Sequence, residues 1–163
     1  MYDPRSGTIE AKVMGGGGRK APYSDVLTFM RLLRAVEHQV RQISKGMRSS
    51  LGVTGSELLV LRMVARHPGL SAGELARLLH LNASTLTGVL ERLAQRKLLQ
   101  RGTDENDRRR DVLDVTAAGR RVDKLRSGTV EAHFQRALSQ LDAEEVATTA
   151  RVLQVLAQEL SRR

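Results

Sequence analysis

From Ser24 onward apolar residues recur at helical spacing. Val26, Met30, Leu33, Val40, Ile43 and Met47 share one face, and Arg31, Arg34, Arg41 and Arg48 lie off it. This pattern predicts a helix of about 24 residues, ~36 Å long, more than one small core can cover. Three later stretches carry a tighter pattern: Val53 to Leu58, Leu70 to Leu75 and Leu141 to Val146. Each reads apolar, then Thr, Ser or Asp, two residues, Glu, apolar. In such a box the first side chain accepts from the backbone three residues on, and the Glu accepts in return from the cap residue's own N–H. Three helix starts follow, at Thr54, Ser71 and Asp142.

The first of these helices is expected to run from Thr54 to about Arg66, with Leu58, Leu61 and Val64 inward, and to stop at His67-Pro68-Gly69. The second is short, Ser71 to Leu79, with Leu75, Leu78 and Leu79 inward. After His80-Leu81-Asn82 a third runs from Asn82 to about Arg96 on a core stripe of Leu86, Val89, Leu90 and Leu93. The stretches Lys97 to Arg101 and Val112 to Thr116 have strand character. Thr116 is expected to cap one long helix reaching about Leu138, along Val122, Leu125, Val130, Phe134 and Leu138. The last helix runs from Asp142 to Ser161, through Val146, Ala150, Leu153, Leu156 and Leu160.

Helix, short helix, tight turn, helix and hairpin make a winged helix-turn-helix. The predicted fold is therefore mainly α: a winged module with a two-stranded β wing, plus a helical dimerisation region. Residues 1–23, with four consecutive glycines and no apolar period, read as a flexible tail, and 24–163 as one domain. Within it 54–116 form the DNA-binding module, and 24–50 and 117–161 supply the dimerisation helices. These outer helices carry more apolar face than the small module can cover, which calls for burial against one another and against a second copy of the chain.

Composition narrows the chemistry. The net charge of +9 points to a polyanionic partner, nucleic acid before membrane. Aromatics are 2% of residues, so the core must be aliphatic. With no cysteine there are no disulfides or thiolate sites, and His38, His67, His80 and His133 show no metal-binding spacing. No nucleophile–base pair, phosphate loop or cofactor motif is visible, so an enzyme is not expected and no cofactor is assigned. No apolar run is long enough to span a membrane and no signal-peptide centre is visible, which predicts a cytoplasmic protein.

On the helix after the tight turn, Ser84, Thr85, Thr87, Gly88, Glu91, Arg92 and Gln95 lie opposite the apolar stripe. Its first turn is small and hydroxylated, which lets the backbone approach base edges and phosphates near the positive helix N-terminus. Gly88 costs about 1 kcal/mol against alanine in mid-helix, and either clears room for DNA or has drifted. Arg92 is the cation on the exposed middle of that face, a base or phosphate contact unless it is merely solvated. Three consecutive arginines, Arg108, Arg109 and Arg110, stand between the strands among Asp104, Glu105, Asp107 and Asp111. In isolation that is a self-neutralising loop; beside this helix pair it is a wing tip offered to DNA.

Residues 73–121 also resemble the MarR-type bacterial regulators, named for multiple antibiotic resistance. The likeness is sharpest at Asp107-Arg108-Arg109 and at Val115-Thr116-Ala117-Ala118-Gly119. The resemblance implies a homodimer with interlocked terminal helices on a near-palindromic double-stranded operator, with repression relieved by a small ligand. It also implies that Arg109 enters the minor groove, where negative potential attracts a guanidinium, and that Asp107 fixes its direction. Arg108 and Arg110 are then expected on phosphates. Relatives of this type sense small anionic or aromatic effectors in a crevice beside the winged module, and Arg34, His38, Arg41 and Arg62 are the candidate cations for one here. The lack of cysteine disfavours peroxide sensing. A winged helix used for protein docking is the rival reading, which salt-dependent duplex binding separates.

Overall fold

A computed structural model of the chain describes residues 21–103 and 111–162. Most of the predicted tail therefore lies outside the described residues, as do Asp107, Arg108, Arg109 and Arg110. The order is α1 (Tyr23–Ser50), α2 (Gly55–Arg66), α3 (Ala72–Leu78), α4 (Ala83–Gln95), β1 (Leu99–Thr103), β2 (Asp111–Val115), α5 (Ala117–Asp123), α6 (Val130–Leu138) and α7 (Ala143–Ser161). The chain divides into two compact units, one ending at Val36 and the other beginning at Glu37.

All three predicted capping boxes form. Thr54 with Glu57, Ser71 with Glu74 and Asp142 with Glu145 each exchange both hydrogen bonds at the starts of α2, α3 and α7. The core of the second unit is aliphatic, as the composition requires. Leu58, Leu61 and Val64 of α2, Leu75 of α3, Leu86, Val89, Leu90 and Leu93 of α4, and Leu98, Leu99, Leu113 and Val115 of the wing form one buried cluster with Met47 of α1.

The helix-turn-helix turn is closed by backbone geometry. His80 takes φ 51°, its N–H donates to the Arg77 carbonyl (3.2 Å), and Leu81 N–H donates back to the Ala76 carbonyl (2.9 Å). This is a Schellman closure with histidine in the left-handed position that glycine usually fills. Lys97 (φ 54°) ends α4 the same way, through Leu98 N–H to the Leu93 carbonyl at 2.9 Å. The wing is an antiparallel pair in register Leu99↔Val115 through Thr103↔Asp111. It is tied back to the connection between α2 and α3 by Leu113 N–H donating to the Leu70 carbonyl (3.0 Å).

The corner between wing and α5 explains the Thr-x-x-Gly motif. Thr116 Oγ1 accepts from Gly119 N–H (3.0 Å) and donates to the Lys97 carbonyl (2.7 Å). A Cβ on Gly119 would overlap the Leu98 carbonyl oxygen and stand 2.7 Å from Val115 Cγ1. Only glycine fits there.

Two expectations are corrected. The single helix from Thr116 to about Leu138 is two helices: α5 ends at Asp123, Gly128 takes φ 67°, and buried Thr129 caps α6 by accepting from Ala132 N–H (3.2 Å). The apolar stripe had hidden the break, although its step of five from Leu125 to Val130 is one too many for a continuous helical face. Leu78, expected inward, is exposed on α3. The outer helices hold surplus apolar surface: Phe29, Met30, Leu32, Leu33 and Val36 on α1, Phe134 and Leu138 on α6, and Leu153, Val155 and Leu160 on α7 are all exposed. No residue of α7 is buried within this chain.

Candidate nucleic-acid interface

The start of α4 differs from every later-starting or earlier-starting helix after α1. In α2, α3, α5, α6 and α7 the cap side chain accepts a hydrogen bond from the first turn. At α4 the cap residue Asn82 makes no such bond, and the first turn carries no acid. The third helical position is Thr85, where α2, α3 and α7 place Glu57, Glu74 and Glu145. Uncapped amides and the positive end of the helix dipole are thus left facing outward, with Ser84, Thr85 and Thr87 exposed around them. Such a terminus accepts an anion. Gly88 is half-buried, and a Cβ there would make an ordinary 3.4 Å contact with Arg92 Nη1. Space alone therefore does not demand glycine.

Arg92 is not a lone solvated cation. Its Nε donates to Glu57 Oε1 at 3.0 Å. Arg48 of α1 donates to Glu57 Oε2 (3.0 Å) and Arg96, just past α4, to the same oxygen (3.4 Å). Thr54 N–H adds the capping bond at 3.1 Å. Glu57 is wholly buried, whereas the arginine side chains are 46%, 48% and 36% exposed for Arg48, Arg92 and Arg96. Burial alone would raise the Glu57 carboxyl. The Thr54 N–H and then Arg92, Arg48 and Arg96 outweigh it and hold the group below its ordinary value. Sequence reading identified Glu57 only as a capping residue, because its arginines come from 9, 35 and 39 positions away.

The candidate effector cations stand in different local surroundings. Arg62 is 8% exposed and its charge is already met, by Glu131 at 3.2 Å and Asp123 at 3.7 Å. It also donates to the Leu125 carbonyl. The Glu131 contact is close but poorly aligned, since both buried Glu131 oxygens and Arg62 Nε lack a hydrogen-bond partner. Arg41 is exposed and pairs with Glu37 (3.3 Å), His38 is exposed, and Arg34 lies in the unit ending at Val36. Among the described residues no group of three His, Cys, Asp or Glu could hold a metal, and no helix is long and apolar enough to cross a membrane.

A family profile described as the MarR family matches residues 51–110, from the end of α1 to the wing. An HTH-type transcriptional repressor of Mycobacterium tuberculosis is 32% identical over 108 residues, which are 66% of this chain and 78% of that protein. The chain belongs to the MarR family. Among solved structures the fold is shared with Staphylococcus aureus MepR in a DNA complex (TM-score 0.68, 23% identity, 82% of this chain and 98% of that one). It is also shared with the PcaV transcriptional regulator of Streptomyces coelicolor in complex with its natural ligand (TM-score 0.63, 26% identity, 78% and 89%). This MarR-family chain is a transcriptional regulator and not an enzyme.

Proposed function

We propose that this regulator is a homodimeric repressor whose two winged modules grip a near-palindromic double-stranded operator and let go when a small ligand binds. The observation that carries the reading is the start of α4: exposed hydroxyls around an uncapped, acid-free helix terminus, on a chain of net charge +9. Residues 54–116 are the DNA-binding module. Ser84, Thr85, Thr87, Gly88 and Arg92 meet the major groove, while Arg109 enters the adjoining minor groove, directed by Asp107 and flanked by Arg108 and Arg110 on phosphates. Helices within 24–50 and 117–161 dimerise, and support for this is the exposed apolar surface of α1, α6 and α7. The protein works in the cytoplasm, on the chromosome.

That MepR was solved with DNA and PcaV with its natural ligand supports both halves of the reading. Arg34, His38 and Arg41 remain the cations for a small anionic or aromatic effector; Arg62 is engaged by its own two acids. The test is selection of bound fragments from the host genome, followed by gel shift at fixed salt with and without phenolic acids. Arg109→Ala is expected to weaken the selected duplex by about 1–3 kcal/mol while the dimer stays intact on size exclusion. Unchanged affinity removes the wing from the mechanism.

A further inference from the structure

We propose that Glu57 is an internal rival of DNA phosphate for Arg92: it holds the guanidinium until a well-placed operator phosphate takes it over, and so suppresses binding to random DNA. The proposal rests on the reading that the α4 face meets DNA. One buried carboxylate faces three arginine side chains, each between a third and a half in solvent. A buried carboxylate with a single partner cannot release it cheaply, because an uncompensated charge stays behind. Glu57 can release Arg92, because Arg48 at 3.0 Å, Arg96 at 3.4 Å and the Thr54 N–H at 3.1 Å remain.

The direction of transfer is also set. Arg92 uses Nε on Glu57, while its Nη1 lies along Gly88, one turn nearer the open start of α4. Rotation of the side chain would turn the guanidinium toward a phosphate docked at that terminus. Random duplex, presented without that register, must strip Arg92 from Glu57 with no such gain. The carboxylate therefore lowers background attraction more than it lowers specific binding, and background attraction is the electrostatic, salt-sensitive part.

Salt-dependence of binding tests this with the full chain, the genome-selected duplex and a random-sequence duplex. Glu57→Gln keeps an acceptor for the Thr54 N–H but removes the charge. It is expected to bind the random duplex about tenfold tighter, with a plot of log affinity against log salt steeper by roughly one phosphate contact. Arg92→Ala in that background is expected to cancel the gain. A folded Glu57→Gln protein with wild-type affinity and slope on the random duplex overturns the proposal. Should that variant not fold, Arg92→Ala alone decides. A slope on the selected duplex shallower by about one contact supports transfer, and an unchanged slope means Arg92 never leaves Glu57 and overturns it. A wild-type protein with no salt-dependent binding to either duplex removes the DNA-facing reading itself, which distinguishes the two failures.

Discussion

Helix α2 carries two polar knots of opposite make, five residues apart. At Glu57 one buried acid is surrounded by three arginines; at Arg62 one buried arginine is met by two acids and a carbonyl. One acid against three arginines leaves a net formal charge of +2 around Glu57, and one arginine against two acids leaves −1 around Arg62. The positive knot joins α2 to the end of α1 and to α4, and the negative one joins α2 to α5 and α6. The partners differ in freedom as well. The arginines on Glu57 can turn into water, whereas the Glu131 oxygens at Arg62 are buried and poorly bonded already. One knot is therefore suited to exchange partners, and the other to fasten the helices that follow the wing.

The largest expected effect on the second knot is steric. Gly119→Ala would drive a methyl into the Leu98 carbonyl and push away α5, which ends at Asp123. A loss of about 3 kcal/mol or more in chemical denaturation is expected, beyond ordinary overpacking. Arg62→Met tests the knot chemically. It leaves Asp123 and the buried Glu131 oxygens without their cation, and a cost of about 3 kcal/mol or more is expected, as for a broken buried pair.

Glu57→Gln should cost less, roughly 1 to 2 kcal/mol, since its arginines relax into solvent and the capping bond survives. Equal losses for Arg62→Met and Glu57→Gln would erase the distinction drawn between the knots. Acid unfolding sharpens it further. The folded Glu57 carboxyl titrates below its ordinary value of 4.5, so its stabilisation is complete above that pH and is lost as pH falls through the lower folded value. The acid limb of the stability profile should flatten in Glu57→Gln.

Much of this architecture was legible because it is local. Each capping box spans four residues, and the stripe Leu86, Val89, Leu90 and Leu93 lies within one helix, so both could be read from spacing alone. The two knots could not, since Arg62 meets Glu131 and Glu57 meets Arg96 only after the chain has folded. The break between α5 and α6 was written in Ser127-Gly128-Thr129, but an apolar stripe that continued across it masked the signal. Leu78 misled because a seven-residue helix turns too few times for periodicity to fix its inner face.

The claim that the open start of α4 is the DNA-facing element is tested most directly by Thr85→Glu. That substitution supplies the acid which α2, α3 and α7 carry at the same position, so it should stabilise the fold by a few tenths of a kcal/mol. On the selected duplex the same carboxylate should repel phosphate and weaken binding by at least ~2 kcal/mol, roughly 30-fold. Stability and DNA affinity moving in opposite directions is the predicted result; a stabilised protein that binds its duplex as well as the wild type would contradict the account.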